Sequence, residues 1–329
     1  MRLTPAAPAY RAGMIAIVGR PNVGKSTLLN ALIGSHLSIT SNKPQTTRHR
    51  VRGVATRPDA QFVFVDTPGL QHRHTSRLLT RRMNAGVSAA IRGVDAIVMV
   101  VDAHGWREED NAVLRLLPRS RTQQAHSASG TTGEPEDSGT APASHVVLVL
   151  NKTDTLRDKA QLLPLIAAAS RRYPFAAIVP VSAGRGWQLD ELLEVLRELL
   201  PVGMPLFDED QITDRSVRFL AAELLREQAF RLLGEELPYG LAVAIEDWEE
   251  SQGRVVVSAL ILVERESQRA IVIGAHGAKL REIGRKARLA MERMLGKPVF
   301  LQTHVRVMAG WSNDARSLDR LGVEAPVRS

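Results

Sequence analysis

The chain has 329 residues, 44% of them hydrophobic and none of them cysteine, which leaves room for two cores and excludes disulfides, thiolate nucleophiles and cysteine-based metal sites. It has no apolar run of 18 residues, and Met1 to Gly13 lacks the layout of a signal peptide. A cytoplasmic protein with a loose segment over 1–13 is therefore expected. The 43 Lys/Arg against 35 Asp/Glu give a net charge of +8, which points to a polyanionic partner if the charge is concentrated in one place.

From residue 14 to 200, short apolar runs alternate with longer amphipathic stretches. Strands are predicted over Met14–Val18, Gln61–Val65, Ala96–Val101, Val146–Leu150 and Ile178–Val181, with helices such as Lys25–Leu32 and Gln188–Leu200 between or after them. Near-continuously apolar strands separated by helices predict an α/β domain with a doubly wound, mostly parallel sheet. Residues 119–144 are rich in Ser, Thr, Gly, Pro and Ala and read as a flexible insertion. Pro201, Gly203 and Pro205 open a linker over 201–215. Beyond it, over 216–329, the order changes. A helix carrying Leu220, Leu224, Leu225, Leu232 and Leu233 precedes strands Leu241–Trp248 and Arg254–Val263, joined through Ser251, Gln252 and Gly253. A short helix then leads to Gly274, a long basic helix covers Ala278–Leu295, and a strand covers Val299–Val307. The order α-β-β-α-α-β predicts a smaller α+β domain.

Gly19-Arg20-Pro21-Asn22-Val23-Gly24-Lys25-Ser26, followed by Thr27, is the phosphate-cradling pattern G-x-x-x-x-G-K-[ST]. The glycines let the backbone approach phosphates, and successive N–H groups form an anion nest at a helix N-terminus. Lys25 is expected to reach the terminal phosphates and Ser26 to bind Mg²⁺. Asp66-Thr67-Pro68-Gly69 follows a strand, so Asp66 is expected to hold Mg²⁺ and the Gly69 N–H to sense the γ-phosphate. Between these motifs, Gln45-Thr46-Thr47-Arg48-His49 is expected to switch with nucleotide state. A threonine there completes the metal shell, Thr47 before Thr46. Asn151-Lys152-Thr153-Asp154 reads the purine: the Asp154 carboxylate accepts from N1–H and the exocyclic amine of guanine, a donor pair that adenine lacks. Backbone N–H groups of Ser182 and Ala183 are expected at guanine O6. Leu70 stands where many GTPases carry a water-orienting glutamine, which predicts slow intrinsic hydrolysis of GTP to GDP and phosphate. The basic stretch Gln71–Arg82, with His72, Arg73, His74, Arg77, Arg81 and Arg82, is read as a solvated loop, with a supplied arginine as the sharper alternative. Lys43, Arg48, Arg50, Arg73 and Arg77 are expected to carry the nucleotide state to the second domain.

Gly274-Ala275-His276-Gly277 is a G-x-x-G tetrapeptide. With 24 glycines in the chain one such match arises by chance, so its context carries the weight. Residues 272–306 hold eight Lys/Arg and two Asp/Glu, whereas residues 216–271 hold six against ten. The positive charge is thus concentrated around the loop. A KH module clamps about four single-stranded nucleotides with such a loop. Ile273 to Lys279 (through Ala278), Arg281, Arg285 and Lys286 are the candidate RNA contacts, with Arg288 and Arg293 further along the helix.

The motifs, with Ser38-Ile39-Thr40-Ser41, Ile212–Ser216, Glu236–Tyr239, Leu260–Arg265 and Val272–Gly274, make the chain resemble the bacterial Era family of GTPases over 14–118 and 145–322. The resemblance implies a P-loop GTPase domain followed by a type II KH domain and a C-terminal helix. It also implies Mg²⁺ as cofactor, the 3′ end of 16S rRNA and the 30S subunit as partners, and a monomer in the cytoplasm with peripheral association at the anionic inner-membrane surface. Members carry a hydrophobic residue at the glutamine position, as Leu70 does. The 119–144 insertion and the basic loop after Gly69 depart from the family pattern. The rival reading is an RNA chaperone or scaffold whose nucleotide site is structural; a tRNA-modifying GTPase is disfavoured because no catalytic cysteine is present.

Overall fold

The structure, a computed structural model, describes residues 9–40, 46–70, 76–118, 145–234, 240–251 and 253–323. The first domain is built on strands β1 (Arg11–Val18), β2 (Val51–Thr56), β3 (Ala60–Asp66), β4 (Ala96–Asp102), β5 (Val146–Asn151) and β6 (Ala177–Pro180). Its helices are α1 (Lys25–Ile33), α2 (Leu78–Ile91), α3 (Glu108–Leu114), α4 (Leu162–Ser170) and α5 (Leu189–Leu199). The strands form one sheet in the order β2-β3-β1-β4-β5-β6, with only β2 antiparallel to its neighbour. β3, β4 and β5 are buried along almost their whole length, as a sheet covered on both faces demands. Leu28, Leu29, Leu192 and Leu196 of α1 and α5 fill one face. Val87, Ile91, Val113 and Ala169 of α2, α3 and α4 fill the other. The sheet is the doubly wound one that the alternation of elements predicts.

Two elements have no counterpart in the sequence reading. β2 is an edge strand whose Arg52 faces solvent, so its composition masks it. α2 starts inside the basic stretch read as a loop. Leu79, Met83 and Val87 recur every four residues there and are each buried, which makes it helical. β1 begins at Arg11, inside the segment expected to be loose. Arg11 pairs with Ala60 of β3, and its Nη1 donates to the Leu200 carbonyl at 2.6 Å. The stretch 201–215 is likewise laid onto the first domain rather than tethered freely. Gln61, fully buried, accepts from the Leu206 and Phe207 N–H groups at 2.7 and 2.9 Å and donates to the Phe207 carbonyl at 2.9 Å. The inserted segment 119–144 and the residues 41–45, 71–75 and 236–239 lie outside the described residues.

The second domain contains α6 (Val217–Leu232), β7 (Leu241–Glu250), β8 (Val255–Val263), α7 (Glu266–Ile273), α8 (Ala278–Leu295), β9 (Val299–Val307) and α9 (Ala315–Arg320). Its sheet has the order β7-β8-β9, antiparallel then parallel. Alternate residues of β8, from Val255 to Val263, bury against Leu225, Phe230, Ile283 and Met291 of α6 and α8. The Ser216 side chain caps α6 by accepting from the Phe219 N–H. On the opposite sheet face, Leu260 and Leu262 join Trp311, Leu318 and Val323, and this cluster includes Leu79 and Met83 of α2. One hydrophobic cluster therefore spans both domains, and removing either the Leu79 or the Met83 side chain should cost about 2–5 kcal/mol.

Candidate functional site

The loop from Gly19 to Gly24 joins β1 to α1 at the point where the strand order reverses, with β3 on one side of β1 and β4 on the other. Gly24 has φ 95°, and a Cβ there would collide with Asn151 Nδ2. That position needs glycine for both conformation and space. Lys25 is only 6% exposed, and its Nζ donates to the Arg20 carbonyl at 3.0 Å. Burial lowers its pKa to about 8, Asp66 pulls it back up, and Arg20 pushes it further down. A buried ammonium so penalised is poised to accept a polyanion. Arg20 itself is buried and paired with Asp110 of α3 at 3.2 Å, so it braces the loop from outside.

Four oxygen-bearing side chains, those of Ser26, Ser38, Thr47 and Asp66, converge beside Lys25. Ser26 Oγ lies 2.7 Å from Thr47 Oγ1 and donates to Asp66 Oδ2 at 2.8 Å. Ser38 Oγ donates to the same carboxylate oxygen at 2.7 Å. Asp66 is fully buried, and its Oδ1 has no hydrogen-bond partner among the described residues. Burial pushes its pKa up, against the pull of Lys25, Ser38 and Ser26. The hydroxyls of Ser26 and Thr47 and a carboxylate with an unsatisfied buried oxygen fit a hard, oxygen-seeking divalent cation. Gly69 packs on Pro21, where a Cβ would come within 2.9 Å of Pro21 Cα. Thr67 Oγ1 donates to the Ile17 carbonyl, which ties Thr67-Pro68-Gly69 to β1. Leu70 leans on the apolar cluster under α2, so its side chain offers nothing to a water molecule.

At the base-reading loops, Asn151 binds the parts together. Its Nδ2 donates to the Val23 carbonyl at 2.9 Å, and its Oδ1 accepts from the Lys152 and Ala183 N–H groups at 2.8 and 3.0 Å. Ser182 Oγ donates to Asp154 Oδ1 at 2.5 Å, and Thr153 Oγ1 donates to the Val181 carbonyl at 2.9 Å. The Ser182 and Ala183 N–H groups, expected at guanine O6, are used internally, the first by the Trp187 carbonyl and the second by Asn151. Lys152 Nζ donates to the Asn22 carbonyl at 2.7 Å and to Asp102 Oδ2 at 2.8 Å. Burial alone would raise the pKa of Asp102, but bonds from Lys152 and His104 outweigh it and hold the carboxyl at about 2.

The segment expected to switch is docked on the second domain. Thr46 and Thr47 are buried, and the Thr46 carbonyl accepts from Arg226 Nη2 at 2.5 Å. Arg226 is itself held by Glu223 at 2.6 and 2.7 Å. Arg48 is 4% exposed, donates to the Leu241 carbonyl at 2.6 Å, and lies over the rings of Phe230 and Trp311. His49 Nδ1 is 3.0 Å from the Gly322 carbonyl and packs edge-on against Phe219. Upstream, the Thr40 N–H donates to Glu227 at 2.9 Å, and His36 meets the same carboxylate at 3.0 Å. Arg48 is thus an interdomain anchor. Arg82 is likewise unavailable as a supplied arginine, because it donates to Asp319 and the Val323 carbonyl at 2.6 and 2.7 Å. Gln45, Lys43, His72, Arg73 and His74 lie outside the described residues. Sequence reasoning missed Ser38, Asp102, Glu223, Arg226 and Glu227, whose partners lie far away along the chain.

In the second domain the tetrapeptide sits between α7 and α8. Gly274 adopts φ 70° and ψ 176°, and a Cβ there would be 2.6 Å from Lys279 Cβ. Ala275, His276 and Ala278 are exposed or partly exposed, Ile273 half-buried. Lys279 and Lys286 share Glu282 at 3.8 and 3.2 Å, whereas Arg281 and Arg285 are exposed and without an ion pair among the described residues. Arg288 is tied to Glu292. Ile271, an apolar residue that charge counting passes over, is 52% exposed beside the loop.

Residues 14–131 match the family described as 50S ribosome-binding GTPase, and 236–312 match the KH domain. A GTPase Era of Bordetella avium is 46% identical over 316 residues, 96% of this chain and 99% of the relative. One of Xanthomonas axonopodis pv. citri is 50% identical over 315 residues, covering 96% and 98%. The crystal structure of a single-residue variant of Aquifex aeolicus Era bound to GDP·AlF4⁻ superposes with a TM-score of 0.85 at 37% identity, covering 95% of this chain and 99% of that one. A structure of Era with MgGDPNP and nucleotides 1506–1542 of 16S ribosomal RNA gives 0.84 at 37% identity with the same coverage. The chain belongs to the Era family, GTPases that join a P-loop domain to a KH domain.

Proposed function

We propose that this GTPase is a nucleotide-controlled switch that binds the 3′ end of 16S rRNA through its KH domain and assists assembly of the 30S subunit in the cytoplasm. Lys25 and the loop amides from Gly19 to Thr27 hold the phosphates. Ser26, Thr47 and Asp66 hold Mg²⁺, which when bound neutralises phosphate charge. Gly69 N–H meets the γ-phosphate, Asp154 reads guanine, and Asn151 fixes the base loop against the phosphate loop. Leu70 leaves the attacking water without a side-chain partner, so unaided hydrolysis is slow. Gly274 to Gly277 clamp the RNA backbone, with Arg281 and Arg285 as the leading phosphate contacts and Lys279 and Lys286 behind them.

The observation that carries the reading is the double attachment of Thr46 and Thr47. The Thr47 hydroxyl lies at Ser26, while the preceding carbonyl is held by Arg226 of the second domain. A change at the γ-phosphate that moves Thr47 must disturb that bond. The related Era structure that holds MgGDPNP together with 16S nucleotides supports the same partner for this chain. The test is GTP hydrolysis with and without a short RNA matching the 16S 3′ end, at two salt concentrations, beside RNA affinity with GDP and with a non-hydrolysable GTP analogue. Stimulation that fades with salt, and tighter RNA binding in the GTP form, are expected. RNA affinity independent of nucleotide, with no stimulation, overturns the switch in favour of a scaffold.

A further inference from the structure

Asp66 carries two hydroxyl groups on one of its oxygens. Ser26 Oγ and Ser38 Oγ donate to Oδ2 at 2.8 and 2.7 Å, while Oδ1 is buried with no hydrogen-bond partner among the described residues. A carboxylate oxygen offers two lone pairs, so the two hydroxyls fill Oδ2 and leave Oδ1 as the acceptor still open. Ser26 belongs to the phosphate loop and also meets Thr47 at 2.7 Å. Ser38 lies between α1 and β2, outside both the phosphate loop and the stretch 45–49.

Ser38 is held for this bond from several directions, and it is only 2% exposed. Asn30 Oδ1 accepts from the Leu37 and Ser38 N–H groups, both at 2.9 Å, and Asn30 Nδ2 donates to the Ser38 carbonyl at 2.6 Å. Asn30 belongs to α1, which begins at Lys25, so one helix positions both hydroxyls that reach Asp66. On either side of Ser38, His36 and the Thr40 N–H meet Glu227 of α6 at 3.0 and 2.9 Å. Most side-chain hydrogen bonds run to backbone or to water. The Ser38 hydroxyl instead reaches a buried carboxylate 28 residues along the chain. The last torsion of an aspartate is broad by nature. A second donor on Oδ2 narrows it and fixes where Oδ1 stands.

We infer, resting on the reading of Asp66 as a metal residue, that Ser38 is a positioning residue of that metal site. Its hydroxyl holds Asp66 by Oδ2 and so keeps Oδ1 for the cation or for a water bound to it. Ser38 acts through Asp66 and not on the cation itself.

The test is Mn²⁺ binding to the full chain saturated with GDP, read from the electron paramagnetic resonance signal of free Mn²⁺. Ser38→Ala should weaken Mn²⁺ binding about tenfold, the low end for losing a group that orients a metal ligand. Asn30 still clamps the backbone in that variant, so the fold is retained. Ser38→Thr, which keeps the hydroxyl, should restore most of the affinity. In the Asp66→Asn background, Ser38→Ala should add no further loss, because the two residues act as one unit. Asp66→Asn alone separates the two levels. If it leaves Mn²⁺ affinity at the parental value, the metal reading fails and the proposal falls with it. If it weakens binding while Ser38→Ala does not, or if the losses at Ser38 and Asp66 add in full, the positioning role is overturned and the metal reading stands.

Discussion

Arg226 Nη2 donates to the Thr46 carbonyl at 2.5 Å, so a helix of the RNA-binding domain holds the backbone of the residue next to Thr47. The same guanidinium is paired with Glu223, and both side chains are buried. Arg226→Ala strands a buried carboxylate and is expected to cost about 3–5 kcal/mol, measured by denaturant unfolding. That variant confuses stability with coupling. The double variant Glu223→Leu/Arg226→Met removes both charges and should recover most of the stability. RNA should nonetheless no longer stimulate its GTP hydrolysis. A double variant that is stimulated as strongly as the parent rules out Arg226 as the coupling contact.

Glu227 provides a second anchor, accepting from the Thr40 N–H, Thr40 Oγ1 and Arg231, and meeting His36. Burial would raise its pKa, but His36, Thr40 and Arg231 outweigh burial and hold the carboxyl below its ordinary value. A carboxyl depressed in the folded state contributes stability that is present above the unfolded value and lost as pH falls through the folded one. Glu227→Gln should therefore cost about 1.5–3 kcal/mol at pH 7, the range for hydrogen bonds to a charged group. The gap between parent and variant should close as pH falls below about 4.5, the ordinary glutamate range. Unfolding curves at about pH 7, 5 and 3.5, spanning that range, check this; a gap independent of pH would show that the charge of Glu227 is irrelevant.

The two halves of the site were unequally legible in the sequence. Lys25, Ser26 and Asp66 announce themselves because phosphate and metal chemistry fixes residue types at short spacing on one strand-loop-helix unit. Thr47 follows from its place between those motifs. That Arg48 and His49 are buried against Leu241, Trp311 and Phe219 is not visible in the local pattern, because those partners lie far along the chain. Glu223 and Glu227 look like ordinary polar positions of an amphipathic helix; only the fold brings the first domain onto that face. The same limit explains α2. Its leucine and methionine spacing is helical, yet the arginines around it outweigh the pattern until α9 and Val323 are seen to bury them.

Asp102 tests the base site from an unexpected side. It ends β4 and receives Lys152 Nζ at 2.8 Å and both the N–H and Nδ1 of His104. Lys152 sits at φ 68°, a conformation rare outside glycine, so its side chain depends on outside anchors. Removing one charge-assisted bond by Asp102→Asn should weaken GDP binding about tenfold, or ~1.4 kcal/mol, with little change in the RNA affinity of the free protein. Competition binding with a fluorescent GDP derivative measures it. Unchanged GDP affinity would mean that the Asn22 carbonyl alone suffices to place Lys152.

The two glycines of the Gly274–Gly277 loop should differ sharply on substitution. Both have positive φ, 70° at Gly274 and 75° at Gly277. At Gly274 a methyl group would lie 2.6 Å from Lys279 Cβ, in the first turn of α8, so conformational strain and collision add. At Gly277 the nearest atom is Arg281 Nη1 at 3.8 Å, so only the conformation is penalised. Gly277→Ala is thus expected to cost about 1–2 kcal/mol, and Gly274→Ala more than that, with displacement of the start of α8. Because Arg281 and Arg285 rise from that helix, Gly274→Ala should also lower RNA affinity and the salt dependence of binding together. Unfolding curves and RNA titrations at two salt concentrations separate the cases. Equal costs at the two positions would mean that α8 yields freely, and that the loop is not the rigid clamp its geometry implies.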